Sequence, residues 1–310
     1  MTRQINNNSR LFAFFAILAV TLSSLACGLD LGNSDNAESL QLEQTRVALQ
    51  QTQVALDNLA QDGSSANDSN DTPAETQIVE QPPAPDVAYE GITFSYDESI
   101  AAGVSPAIIP GQNLGEDYMP GDTYPTHYEF GFNGYAIGNS FHTPLITIYP
   151  VAEYRAISSY ASNEIDSLQS ALTNHPSGGS ISDLPFLPIW NAAQIFSAKV
   201  TYFDFQNGSG LRYLTMYGQA TYPVDNQNLF YTYQGLTDDG QYYISAVLPV
   251  TNAILPDDGA TTVDDWIEFD NNWETYIIGA LQTLNGQSAE NYTPNLALLD
   301  EMMASFSIAP

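Results

Sequence analysis

Three residues in the middle of the chain have types and spacing that suit chemistry. His127 and Glu129 are two apart, so on an extended strand they project from one face. His142 follows a turn bounded by Gly134 and Gly138 that would bring it back toward them. Two imidazoles and a carboxylate form a ligand set for a transition metal such as zinc. Polar residues on an edge strand beside a proline-rich loop have the same pattern, and spacing does not choose between the two. A second group is acidic. Asp257 and Asp258 precede Gly259, and Asp264, Asp265, Glu268 and Asp270 follow. Calcium, a hard cation, takes oxygen ligands of this kind. The Asp-x-Asp-x-Asp-Gly order of an EF-hand is absent, and the alternative is a solvated loop with acids at a helix N-terminus, where the dipole favours them. Asp238-Asp239-Gly240 reads as a hairpin turn, and His175 as the end of a helix. Gly-x-Ser-x-Gly, a phosphate-binding Walker loop, His-Glu-x-x-His and Ser-x-x-Lys do not occur. A carboxylate pair for glycoside hydrolysis has no motif to single it out.

Charge narrows the partners. Asp and Glu number 36 against six Lys and Arg, a formal net charge of -30. Two of the bases are Arg3 and Arg10; only Arg46, Arg155, Lys199 and Arg212 come later. Too few cations remain to neutralise a phosphate backbone or to adsorb to anionic lipid, so nucleic acid is excluded as a partner. Cationic small molecules, metal ions or basic proteins are attracted instead.

Residues 1–26 read as an export signal. Arg3 and Arg10 precede the apolar run Leu11 to Val20, and Leu25-Ala26-Cys27 closes the segment. It resembles a bacterial lipoprotein signal, with Ser24 where such signals prefer leucine. That resemblance implies lipid on Cys27 and attachment to the membrane on its extracytoplasmic side. Cleavage to a free secreted protein and an uncleaved anchor are the alternatives, although the run is shorter than the roughly 20 residues of a membrane span. Cys27 is the single cysteine, so no intrachain disulfide supports the fold.

A spacer at 27–37 leads to 38–61, which lacks Gly and Pro and repeats Thr-Arg-Val-Ala-Leu as Thr-Gln-Val-Ala-Leu seven residues on. Leu42, Leu49 and Leu56 share one heptad position, while Thr45, Thr52 and Leu59 share the companion position. This is either a short homo-oligomeric stalk or a helical spacer without a fixed partner. Residues 62–86, rich in Ser, Asn, acid and Pro, have the composition of a disordered linker.

The remaining residues, 87–310, must position the chemistry. Their organising stretch is 198–249, with strand-like runs at 198–206, 211–219, 229–236 and 242–249. Asn207-Gly208-Ser209-Gly210 and Thr237-Asp238-Asp239-Gly240 supply turns, so the runs are expected to form an antiparallel meander as the central sheet. Ile92 to Tyr96, Tyr128 to Phe132 and 144–149 are further strands, and 97–126 reads as loop. A helix is expected from Asn163 as cap, with Ile165, Leu168 and Leu172 inward. Asp270 caps a second helix with Trp273, Ile277, Ala280, Leu281 and Leu284, and Thr293-Pro294 starts a last one. Ser305 to Ile308 reads as the end of that helix or as a closing strand. Leu184 to Trp190 is apolar but holds two prolines, which suits a segment lying over a sheet edge. The many tyrosines either form a ligand-facing aromatic surface or pack at one end with wet hydroxyls.

The fold class is α+β, a central antiparallel sheet flanked by helices. GITFSYD, PLITIYPVAEY, LPFLPIWNAAQIF, YFDFQNGSGLRYLT, LFYTYQGLTDDGQYYISAVLPV and LLDEMMASFSI together resemble an uncharacterised group of bacterial extracytoplasmic lipoproteins. The opening ITFSY and the closing LDEMMASF are also similar to the ends of the Mog1/PsbP-like fold. The insertions at 97–126 and 175–196 depart from it. Members of that fold are mostly small binding or assembly modules. The resemblance therefore implies a membrane-tethered extracytoplasmic binding module for a protein or small molecule. The alternative is an extracytoplasmic hydrolase using carboxylates or a metal.

Overall fold

A computed structural model describes residues 84–115, 118–176 and 184–310. The export signal, Cys27, the stalk at 38–61 and the linker through residue 83 lie outside the described residues. Two short strands come first, β1 (Val87–Tyr89) and β2 (Ile92–Phe94). Then come β3 (Gly103–Ile109), β4 (His127–Asn133) and β5 (Leu145–Pro150). Helices α1 (Val151–Ile157) and α2 (Ser159–Asn174) follow. The meander supplies β6 (Ala198–Phe205), β7 (Gly208–Thr215), β8 (Phe230–Thr237) and β9 (Tyr242–Pro249). Helices α3 (Trp266–Asn271), α4 (Trp273–Gly286) and α5 (Leu296–Ala304) precede β10 (Ser307–Ile308).

Seven strands form the main sheet in the order β3-β4-β5-β9-β8-β7-β6, all neighbours antiparallel. The meander is as expected in connectivity, but it makes one side of the sheet rather than the whole. Its second strand begins at Gly208, inside the stretch read as a turn. Gly208 and Gly210 serve close packing there. A Cβ on Gly208 would lie 2.2 Å from the Phe205 ring, and one on Gly210 would lie 2.4 Å from the Tyr233 ring. Gly240 does take the positive φ, 68°, that its hairpin requires.

The sheet separates two layers. Phe130, Ile146, Ile148, Tyr231, Tyr233, Ala246 and Leu248 are buried on one face with Ile277, Leu281 and Leu284 of α4 and Leu296, Leu299 and Met303 of α5. A small sheet, β1-β2-β10, joins this layer, and Phe94 stacks on Phe306 at 4.2 Å. On the other face Tyr149, Tyr213 and Tyr243 pack with Ile165 and Leu168 of α2 and with Leu184 and Leu187.

Several expectations are corrected. The 97–126 segment contains β3, because Pro106 sits on an edge strand, where its missing N–H breaks no ladder. The ITFSY strand belongs to the small sheet. Helix α2 starts four residues before Asn163, capped by Ser158, whose Oγ accepts from the Ala161 N–H at 3.2 Å. Asp270 lies within α3, whose cap is Asp265, and α5 is capped by Asn295 rather than Thr293. The helix and the closing strand at the end both exist in succession.

Residues 184–190 cross the interior of the sheet face, not its edge. The prolines remove two donors, and each remaining early N–H finds a side chain. Leu184 donates to Gln194 at 2.9 Å, Phe186 to Glu164 at 2.9 Å and Leu187 to Gln234 at 3.0 Å. Gln234 is fully buried and returns a bond from its amide to the Leu187 carbonyl at 3.3 Å. The Ser245 hydroxyl donates to the same carbonyl. A mid-strand glutamine thus acts as a strand edge for a segment that cannot be a strand.

Candidate functional site

Where this strap ends, a cavity of about 360 Å³ opens between Pro188–Trp190 and strands β4 and β5. Leu145, Thr147 and Tyr149 of β5 form its floor beside His127 and Glu129 of β4. The pairing of Glu129 with Thr147 puts these side chains on one face, as a period of two requires. Tyr124 and Gly121 close one side, and His142 and Thr143 come from the β4–β5 connection. All three residues singled out by spacing therefore line one cavity.

His127 is 3% exposed, its ring 5.3 Å from Tyr124 and 4.9 Å from Tyr149. Nδ1 lies 2.8 Å from the Pro125 carbonyl, which can only accept, so Nδ1 carries the proton. Nε2 then faces Glu129 Oε1 at 3.3 Å. In the neutral imidazole that places two acceptors together, and the contact needs one further proton or a donor reaching both.

His142 makes no hydrogen bond with either residue. Its ring stacks on Trp190 at 5.0 Å and 6° and meets Phe230 edge-on at 4.6 Å. Nε2 is shielded from solvent without a hydrogen-bond partner. Burial lowers its pKa to about 4, against a weaker opposing backbone contact with Asn228, so the ring is neutral at neutral pH. Burial likewise raises the hydroxyl pKa of Tyr149, and that of Tyr154 to about 12, so both phenols stay protonated donors.

Among the described residues no group of three or more His, Cys, Asp or Glu side chains could hold a metal ion. Within the trio one imidazole faces a carbonyl and a carboxylate, and the other lies in an aromatic stack. The acidic loop is similarly dispersed. Asp258 accepts from the Ala260 N–H at 2.9 Å, and Asp265 accepts from the Ile267 and Glu268 N–H groups at 2.9 and 3.1 Å. Asp257 lies 3.5 Å from Asn226 Nδ2, and Asp264 is exposed. Asp258 and Asp265 thus cap a turn and a helix, while Asp270 accepts from the Thr221 hydroxyl at 2.8 Å. His175 ends α2 in a left-handed conformation and stacks on Tyr202 at 4.3 Å.

Comparison with protein-family models, curated proteins and solved structures finds no match to this chain. The site is therefore read from its geometry.

Four tyrosines of the meander are neither an exposed aromatic surface nor wet at their hydroxyls, whereas Tyr202 and Tyr242 are half-buried. Tyr213, Tyr231, Tyr233 and Tyr243 are fully buried. Their hydroxyls donate to the Pro185 carbonyl, Asp300, the Phe203 carbonyl and Gln234 at 2.9, 3.0, 2.9 and 2.6 Å. Sequence reasoning missed Trp190, Tyr124 and Tyr149 as cavity walls. The available signal was Leu184 to Trp190 itself: an apolar stretch broken by prolines must cover something, and its last aromatic ring marks where coverage stops.

Proposed function

We propose that residues 87–310 form a small-molecule binding module whose site is this cavity. We further propose that lipid on Cys27 tethers it outside the cytoplasmic membrane, with 38–61 and 62–86 as stalk and linker. The observation that carries the binding reading is a cavity of about 360 Å³ with ring walls and a few converging polar groups, the usual make-up of a ligand site. Binding is favoured over hydrolysis because Glu129 is the one carboxylate lining the cavity among the described residues, whereas carboxylate-based hydrolysis uses a pair. A Mog1/PsbP-like architecture belongs to the same proposal. A central antiparallel sheet between helical layers and a terminal helix followed by a short strand support it.

A fragment screen by NMR on the full chain tests the binding reading. Hits are expected to shift the Trp190 indole N–H, and Thr143→Trp, at the exposed mouth of the cavity, should abolish those shifts. A screen in which no fragment perturbs Trp190 would overturn it. Mass spectrometry of the native protein tests the tether: an unmodified Cys27 with Met1 still attached would remove it.

A further inference from the structure

The charge of the cavity identifies the class of ligand, an inference that rests on the binding reading above. We infer that the cavity takes a small organic cation, a protonated amine on an aromatic or apolar body. Its N–H donors would meet Glu129, and its body the rings of Tyr124, Tyr149 and Trp190.

Among the described residues Glu129 is the one carboxylate that lines the cavity, and no lysine or arginine lines it. The three basic side chains of the described residues are committed elsewhere. Arg155 pairs with Asp166 at 2.7 Å, and Arg212 pairs with Asp300 at 2.7 Å. Lys199 Nζ donates to the Asn285 carbonyl at 3.1 Å and to that of Gln287. Glu129 touches His127 Nε2 at 3.3 Å, a contact that takes either a proton on the ring or an outside donor reaching both atoms. An ammonium N–H placed beside both atoms gives each acceptor a donor and gives the carboxylate a counter-charge. His142 adds no opposing charge, being neutral. Tyr149 and Trp190 supply ring surface, which attracts a cation and packs its apolar body. A net charge of -30 draws cations toward the molecule as a whole.

Three probes of matched shape separate the possibilities: benzylammonium, benzyl alcohol and benzoate. Each is titrated into the full chain with the Trp190 indole resonance as site marker and calorimetry as the measure of affinity. Benzylammonium is expected to bind best, to weaken with added salt, and to lose about tenfold or more in affinity in Glu129→Gln. Benzyl alcohol should respond to the same variant by less than about twofold, which also shows that the variant keeps a formed cavity. Unchanged benzylammonium affinity in Glu129→Gln would overturn the assignment. Benzyl alcohol or benzoate binding at Trp190 as tightly as benzylammonium would overturn the cationic class while leaving the cavity a binding site. A flat response to all three would overturn both.

Discussion

On one face of the central sheet Phe130, Ile146, Ile148, Ala246 and Leu248 alternate with nothing polar between them. On the other face the same strands present His127, Glu129, Thr147, Thr232, Gln234 and Ser245. The first face is closed by α4, α5 and the small sheet chiefly through apolar contacts, with the bonds of Arg212 and Tyr231 to Asp300 of α5 added at one place. The second must be closed donor by donor, because each buried polar group left unpaired costs stability. A strap whose backbone fits Gln234 and Ser245 does this over the strands that carry them. Beyond Trp190 the fit stops, and the polar residues there line a cavity instead. The comparison teaches that a site arises where a polar sheet face outruns the segment built to cover it.

The largest expected effect lies on the apolar face. Phe306 is fully buried against Phe94, and Phe306→Ala should destabilise the protein by about 3–5 kcal/mol. Urea unfolding measures it, and cavity binding should be unchanged under folding conditions. A comparable loss of binding would mean that the two faces are not independent.

Next comes His142. Its folded pKa, about 4, lies below the ordinary 6.5, so the unfolded chain binds the proton more readily. Stability is then full above pH 6.5, declines as pH falls toward 4 and levels off below it. The total loss is about 3 kcal/mol from this residue. His142→Phe should keep a ring against Trp190 and remove that slope in a series of unfolding curves.

Gln234→Ala should cost about 1–3 kcal/mol by orphaning the buried Leu187 N–H, while the Leu187 carbonyl keeps Ser245. Hydrogen exchange at the Leu187 amide should accelerate, and cavity binding should weaken with it, unlike in Phe306→Ala. Smallest in stability is Glu129→Gln. Its side chain is 31% exposed, and a change within about 0.5 kcal/mol is expected. A large loss of stability there would make Glu129 a structural residue and sharpen the comparison against the site.

What the sequence made legible was what is local. The alternation around Phe130 placed His127 and Glu129 on one face, and the hairpin glycine at 240 and the strands of 230–249 follow from local pattern. What it hid depends on distant partners. The Pro106 strand is readable only once β3 is known to be an edge. Gly210 looks like a turn until Tyr233, on the next strand, is seen to occupy its missing side chain. The strap is held by Gln234, 47 residues away from Leu187, a pairing that no window of neighbouring residues contains. His142 was legible as a candidate for its residue type, but its stack on Trp190 was not, and that stack decides its chemistry.

β10 pairs with β2, Ser307 opposite Thr93 and Ile308 opposite Ile92. The hairpin at residues 87–94 is made early and cannot be completed until more than two hundred further residues have been synthesised. Until then Phe94 lacks the ring of Phe306. Closure of the small sheet thus depends on the short strand after α5, the last element of the fold in chain order.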